Sequence, residues 1–212
     1  MSNPFTRPAL LLLGPTGAGK SPLGHLLVQN GLAGRTCAHF DFGERLRAVV
    51  NREDNGTMSD DDVSFLSSVL ASGALLENET FFLAQKIIDR FNRDNPADIV
   101  ILNGLPRHDA QAADVERSFD VRMVCFLRCS AQTVAERIRQ NSGGDRTGRT
   151  DDDLDLMAQK LRTFHQRTEP LIERYGAKGI PVMTFDIEVD TTSRALFDAL
   201  STRVRFFKSS PF

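Results

Sequence analysis

Short apolar runs alternate along this chain with longer stretches in which apolar residues return every three or four positions. The runs are Ala9–Leu13, Cys37–Phe40, Ile99–Leu102, Val121–Leu127 and Ile180–Phe185. They are almost continuously apolar, as strands covered on both faces of a parallel sheet must be. The stretches between them carry Leu23, Leu26 and Leu27, then Leu76, Thr80, Ala84, Ile87 and Phe91, then Leu154, Met157, Leu161 and Phe164, then Leu196, Leu200 and Val204. That spacing gives each helix one apolar stripe. The alternation predicts an α/β fold, a five-stranded parallel sheet with helices on both faces. Ligands of such sheets lie beyond the carboxyl ends of the strands.

Two stretches fall outside the alternation. Between about residues 42 and 75 the pattern predicts two helices joined by the turn-rich Asp54-Asn55-Gly56-Thr57. Residues 140–150 are glycine-rich and polar, a composition shared by mobile flaps and by plain surface loops. The acidic triplets Asp60-Asp61-Asp62 and Asp151-Asp152-Asp153 each follow a Ser or Thr and open a helix, so capping and dipole compensation account for them at first sight.

The loop after the first run carries the chemistry. It reads Gly14-Pro15-Thr16-Gly17-Ala18-Gly19-Lys20-Ser21, a G-x-x-x-x-G-K-[ST] pattern between a strand and a helix. Glycines there let backbone N–H groups converge on phosphate oxygens, and the helix N-terminus adds unpaired donors and positive dipole charge. Lys20 is expected to reach the outer phosphates and Ser21 to hold magnesium, so the chain is expected to bind a nucleoside triphosphate.

Composition narrows the partners. The 212 residues suffice for one domain with a proper core, and neither the 41% hydrophobic nor the 25% charged content signals disorder or membrane insertion. A net charge of −2 offers no basic field for nucleic acid, so phosphate chemistry falls to a few placed arginines. Cys37, Cys125 and Cys129 sit in apolar surroundings and read as free, core-filling thiols of a reducing compartment. The apolar run behind Arg7 is too short for a signal sequence or a membrane span, and the expectation is a cytoplasmic monomer. His25, His39, His108 and His165 show no ligand spacing.

Three further signals follow strands. His39-Phe40-Asp41-Phe42-Gly43-Glu44-Arg45-Leu46-Arg47 closes the second, Leu102-Asn103-Gly104-Leu105-Pro106-Arg107 closes the third with Gln111 beyond it, and Arg149-Thr150-Asp151-Asp152 ends the glycine-rich stretch. Arg47, Arg107 and Arg149 thus arrive from separate segments, which suits phosphoryl transfer, where several cations must converge and water must be kept out.

With these residues the chain resembles the adenylate kinases and their nucleoside monophosphate kinase relatives, of the short-lid type, as an atypical member. The resemblance runs from about Leu10 to Leu200. It implies a P-loop kinase core (1–41, 76–139, 151–212), a small acceptor-binding insertion at about 42–75 and a short lid at about 140–150. Phe42-Gly43-Glu44-Arg45-Leu46-Arg47 resembles T-G-D-L-L-R, which assigns Gly43 and Arg47 to the acceptor. Ser72-Gly73-Ala74-Leu75-Leu76 resembles the turn beneath the acceptor base, which assigns Leu75. Asn103-Gly104-Leu105-Pro106-Arg107 resembles D-G-[FY]-P-R, which assigns Gly104 and Arg107, while Gln111 takes the place of the glutamine that reads adenine. Arg137 matches the arginine that stacks on the donor base, and Arg149, Asp151 and Asp152 match R-x-D-D, with the aspartates anchoring the lid. Thr168-Glu169-Pro170-Leu171-Ile172 resembles T-x-P-[LV]-I. The short lid implies no zinc.

Departures from the family pattern are informative. Asn103 replaces the aspartate that orients magnesium's water shell, Pro22 removes an N–H from the first turn of the helix, and Lys160 replaces a phosphate-binding arginine. Asp41, at the end of the second strand, is either a replacement carboxylate for the metal or the cap of the next helix. The expected activity is transfer of the γ-phosphoryl group of magnesium–ATP to a monophosphate, AMP by the Gln111 match, with Lys20, Arg107, Arg149 and Lys160 offsetting charge. Two other readings stand beside it: a nucleotide-binding protein with little or no transfer, and a P-loop kinase for a small non-nucleotide acceptor.

Overall fold

The computed structural model describes residues 6–53, 58–144 and 154–205. Five strands, β1 (Arg7–Leu13), β2 (Cys37–Asp41), β3 (Ile99–Asn103), β4 (Phe119–Arg128) and β5 (Val182–Asp186), form one parallel sheet in the order β2-β3-β1-β4-β5. Each apolar run of the sequence lies within or against one of these strands. In the central strand successive residues feed opposite faces: Leu10 and Leu12 enter one core, and Ala9, Leu11 and Leu13 the other. This division explains the near-continuous hydrophobicity of β1.

One core is closed by α1 (Lys20–Asn30) and α9 (Ser193–Arg205) through Leu23, Leu27, Leu196, Leu200 and Val204. The other is closed by α2 (Phe42–Val50), α3 (Asp60–Ser72), α4 (Phe81–Asp94), α5 (Asp109–Val115) and α8 (Leu171–Ala177). Two further helices are α6 (Ala131–Arg139), whose Val134 enters the α1 core, and α7 (Leu154–Thr163). The Ser59 hydroxyl accepts from the Asp62 N–H at 3.1 Å and the Asp62 carboxylate accepts from the Ser59 N–H at 3.3 Å, a reciprocal cap that accounts for the first acidic triplet. Cys37, Cys125 and Cys129 are buried free thiols.

Two local departures from the periodicity have physical causes. The helix expected from Leu76 begins only at Phe81, because Leu75 and Leu76 run extended beneath a cleft before a single 3₁₀ turn at Asn78–Thr80. The long helix after α7 widens into a π-turn over Phe164–Thr168, with the Glu169 N–H donating to the Phe164 carbonyl at 2.9 Å. Pro170 lacks the N–H that would reach the Gln166 carbonyl and its ring would crowd that group, so the wider turn relieves the helix. No helix among the described residues is long and apolar enough to cross a membrane.

Candidate functional site

The register aligns the functional residues at one edge. Leu12 and Asp41 are both Cα partners of Asn103, so β1, β2 and β3 end side by side, and the loop 14–19 begins one residue later. Gly14 is required there for close approach: a Cβ at this position would lie 2.8 Å from the Leu127 carbonyl of β4. At Gly19 a Cβ would meet only Arg137 Nη2, at an ordinary 3.4 Å, but φ is +97°, a conformation an L side chain resists. α1 begins immediately, and its first regular hydrogen bond runs from the Leu23 N–H to the Gly19 carbonyl at 3.2 Å. Pro22 sits in that first turn, where its missing N–H breaks no helical bond.

Lys20 curls back over the loop, its Nζ donating to the Gly14 and Pro15 carbonyls at 2.7 Å each. The Ser21 hydroxyl donates to Asp41 Oδ2 at 2.5 Å, and Asn103 Nδ2 donates to the same carboxylate oxygen at 2.7 Å and to Ser21 Oγ at 3.1 Å. The other oxygen, Asp41 Oδ1, accepts from the Glu44 N–H at 3.1 Å and caps α2. The capping reading of Asp41 is thus met by Oδ1, while Oδ2 faces Ser21 and Asn103. Burial alone would raise the Asp41 pKa, but the Ser21 hydroxyl, His39, the Glu44 N–H and Arg47 together hold it below the ordinary carboxylate value. The site keeps one negative charge, on β2 rather than β3.

Arg47 and Arg107 line the same cleft, and their guanidinium groups make no hydrogen bond with a described residue. Burial lowers the Arg107 pKa, and Asp41 opposes that shift. The Arg107 backbone is fixed on both sides: its N–H donates to Gln111 Oε1 at 2.8 Å, and its carbonyl accepts from Thr168 Oγ1 at 2.7 Å. Lys160 reaches the cleft from α7, its Cε near the space that a Cβ on Gly73 would enter. Gly43, Leu75 and Gly104 also line it, and Pro15 and Ala18 support the loop from behind.

Other expected residues differ or fall outside. Arg137 is 3% exposed, its Nε donating to the Gly17 carbonyl at 3.0 Å and its Nη1 to the Glu188, Val189 and Thr191 carbonyls at 2.7, 3.1 and 2.9 Å. A guanidinium so covered offers no face for a base to stack on, so here Arg137 is a strut between the phosphate loop and the segment after β5. Gln111, expected to read a base, exposes none of its surface, and its Nε2 donates to the Leu76 carbonyl at 2.6 Å. Arg149, Asp151 and Asp152 lie outside the described residues. The sequence reading missed the wall formed by Phe42, Leu46, Val69, Leu70 and Phe164, and the bond from Thr168 to Arg107. The Thr168-x-Pro170 pattern marked the place but not this role.

A phosphate-binding loop at the carboxyl edge of a parallel sheet, faced by guanidinium groups with no hydrogen-bond partner among the described residues, defines a P-loop protein with the kinase fold. A family model described as an AAA domain matches residues 13–157, and the chain belongs to that family. Its relatives are kinases. It is 28% identical over 192 residues to adenylate kinase isoenzyme 5 of Bos taurus, covering 87% of this chain and 31% of that protein. The chain thus spans about a third of the length of that relative. It is 27% identical to UMP-CMP kinase 3 of Arabidopsis thaliana over 80% of this chain and 77% of that one. Adenylate kinase of Parvibaculum lavamentivorans is 29% identical over 80% of each. A solved structure of a sugar kinase from Janibacter sp. HTCC2649 superposes with a TM-score of 0.54 at 15% identity, covering 95% of this chain and 96% of that one, a likeness of fold alone.

Proposed function

We propose that this protein is a nucleoside monophosphate kinase that moves the γ-phosphoryl group of ATP to the phosphate of a nucleoside monophosphate. One observation carries the reading: two guanidinium groups without hydrogen-bond partners, Arg47 and Arg107, share a cleft with the phosphate loop and flank the Asp41 carboxylate. One carboxylate, already hydrogen-bonded by Ser21, Asn103 and Glu44, does not balance two guanidinium groups, and a phosphate dianion is the natural complement. In this reading the loop amides and Lys20 hold the donor, Arg47 and Arg107 hold the acceptor, and Arg107 with Lys160 stabilises the charge that spreads over the transferring group. Lys20 then exchanges its two carbonyl partners for phosphate oxygens. Arg149, with Asp151 and Asp152 anchoring it, would complete the closure over the substrates.

Magnesium is the metal this reading needs, and the donor set suits it. An ionised carboxylate and a hydroxyl converge at Asp41 and Ser21, with the Asn103 amide nitrogen donating to both, and among the described residues no group of three His, Cys, Asp or Glu could form an all-protein cage. Magnesium characteristically takes one or two carboxylates and shares the rest of its shell with substrate phosphates and water. When bound it offsets the charge of the outer phosphates. We read the protein as a cytoplasmic monomer.

The test is isotope-labelled ATP incubated with AMP, CMP, UMP and GMP, with and without magnesium. Labelled diphosphate that requires magnesium is the expected result. ATP binding with no diphosphate from any acceptor overturns the reading and favours a second one, a nucleotide-binding protein without transfer. Asn103, Pro22 and Lys160, each a weakened phosphate or metal contact, motivate that alternative.

A further inference from the structure

Thr168 and Pro170, singled out in the sequence as a pair, shape the helical run that borders the cleft. Lys160, Phe164 and Thr168 all line the cleft, although they stand four and again four residues apart along that run. Four residues of a regular α-helix overshoot a full turn by about 40°, so two such steps would carry Thr168 about 80° around from Lys160. The π-turn at Phe164–Thr168, whose hydrogen bonds span one residue more, winds less tightly and takes back part of that advance. The turn that Pro170 provokes thus keeps Thr168 on the face that carries Lys160 and Phe164.

From that face Thr168, itself 4% exposed, donates from Oγ1 to the Arg107 carbonyl at 2.7 Å. Arg167, one residue earlier, donates twice to the Glu77 carboxylate, which anchors the π-turn to the stretch beneath the cleft. The Arg107 guanidinium has no hydrogen-bond partner among the described residues, so its aim is set by its main chain. A valine at position 168 would keep the shape of threonine but lose the hydroxyl, and the peptide plane after Arg107 would be free to tilt.

We propose that Thr168 is a positioning residue for Arg107: through the main-chain carbonyl it holds the guanidinium where acceptor phosphate and transferring group meet. The inference rests on the monophosphate kinase reading above. A charge aimed before the substrate arrives needs no reorganisation during transfer, and a misplacement of about 1 Å can cost about 10²-fold in rate. Thr168 touches no reacting atom in this role. It acts through Arg107 alone, which separates it from a contact that only stabilises the helix.

The test is a cycle of wild type, Thr168→Val, Arg107→Ala and the double variant, with Thr168→Ser as the conservative change. It reads kcat/KM for labelled AMP and CMP, ATP affinity and urea unfolding. With Arg107 present, Thr168→Val should lower kcat/KM by about 10–30-fold without shifting ATP affinity, and Thr168→Ser should stay within about threefold of wild type. With Arg107→Ala, the same valine should change kcat/KM by less than about threefold. It should still cost as much stability there, because the main-chain carbonyl persists. An equal fall in both backgrounds, or a serine variant as poor as the valine, overturns the proposal and leaves the kinase reading intact. If Thr168→Val does not fold, Thr168→Ala takes its place in the cycle. If monophosphates bind but no diphosphate forms, the kinase reading fails and the cycle is read in their dissociation constants. There a loss confined to the proteins that keep Arg107 supports the proposal, and the same loss in both backgrounds overturns it. If no monophosphate binds, both fail.

Discussion

The phosphate-loop half and the arginine half of the cleft hold their cations in opposite ways. Beside the loop Lys20 donates to two backbone carbonyls and Arg137 to four. Across the cleft the Arg47 and Arg107 guanidiniums have no hydrogen-bond partner among the described residues, while the Arg107 backbone is clamped at both its N–H and its carbonyl. The cations beside the loop thus tie it to the rest of the protein, and in the proposed reading a phosphate displaces carbonyls that Lys20 already holds. The arginines keep their guanidiniums available to an anion, with the protein fixing the attachment point of Arg107 in advance, an arrangement that spares reorganisation when the anion arrives.

The largest effect should come from testing that contrast directly. Arg107→Ala should lower kcat/KM for phosphoryl transfer by about 10³-fold, about 4 kcal/mol, if its charge acts on the transferring group as proposed. Its unfolding free energy should change by less than about 1 kcal/mol, since the guanidinium has no hydrogen-bond partner to abandon. Steady-state kinetics together with urea unfolding reads both. Activity within threefold of wild type would break the contrast.

Arg137→Leu should do the reverse. Four partly buried carbonyls lose their donor, and we expect about 3 kcal/mol of lost stability, seen as a fall in Tm of roughly 6–12 °C by calorimetry. A variant with unchanged Tm and abolished ATP binding would instead return Arg137 to the base-stacking role that its sequence position implied.

The Asp41–Asn103 pair sharpens the comparison where the halves meet. Asp41→Asn should cost about 2 kcal/mol of transition-state stabilisation, about 30-fold in rate, and raise the magnesium concentration needed for half-maximal activity. Asparagine caps helices as well as aspartate does, so stability should barely move. Because the two residues are Cα partners on adjacent strands and already hydrogen-bond, Asp41→Asn combined with Asn103→Asp should recover most of the loss. A double variant no better than the single one would show that the charge works only from β2.

The sheet, its strand boundaries and the phosphate loop were legible in the sequence because each rests on local rules: continuous apolarity for doubly covered strands, and glycine spacing for the loop. α5 and α6 were not, because their few buried positions, Gln111, Ala112 and Val115 in one and Val134 and Arg137 in the other, are too sparse or too polar to show a stripe. Site membership was partly legible and site roles less so. Arg137 and Gln111 carried family-like positions, yet their partners are backbone carbonyls and N–H groups far along the chain, and backbone groups leave no trace in residue identity. Asn103 and Asp41 were visible separately in the sequence. Only the strand register makes them neighbours.

His39 packs β2 against α1, and acid should loosen that joint by an effect no larger than the last. It lies on β2 two residues before Asp41, with its ring against α1: a Cβ on Gly24 would fall 2.4 Å from His39 Nε2. That nitrogen is buried and has no hydrogen-bond partner, and the His25 ring stands edge-on at 5.2 Å. Burial lowers the His39 pKa from 6.5 to about 4, with His25 and Arg45 lowering it further and Asp41 opposing them. Since the folded value lies below the unfolded one, the unfolded chain binds the proton more readily across that interval. His39 therefore leaves stability intact above about pH 6.5 and removes it progressively as pH falls toward 4. At pH 5 the loss attributable to His39 should be about 2 kcal/mol. Urea unfolding at pH 7 and pH 5 of wild type and His39→Gln reads it: the variant is less stable at neutral pH, where its amide replaces a packed ring, but it should lose less between the two. An equal loss in both proteins would assign the acid sensitivity to groups other than this joint.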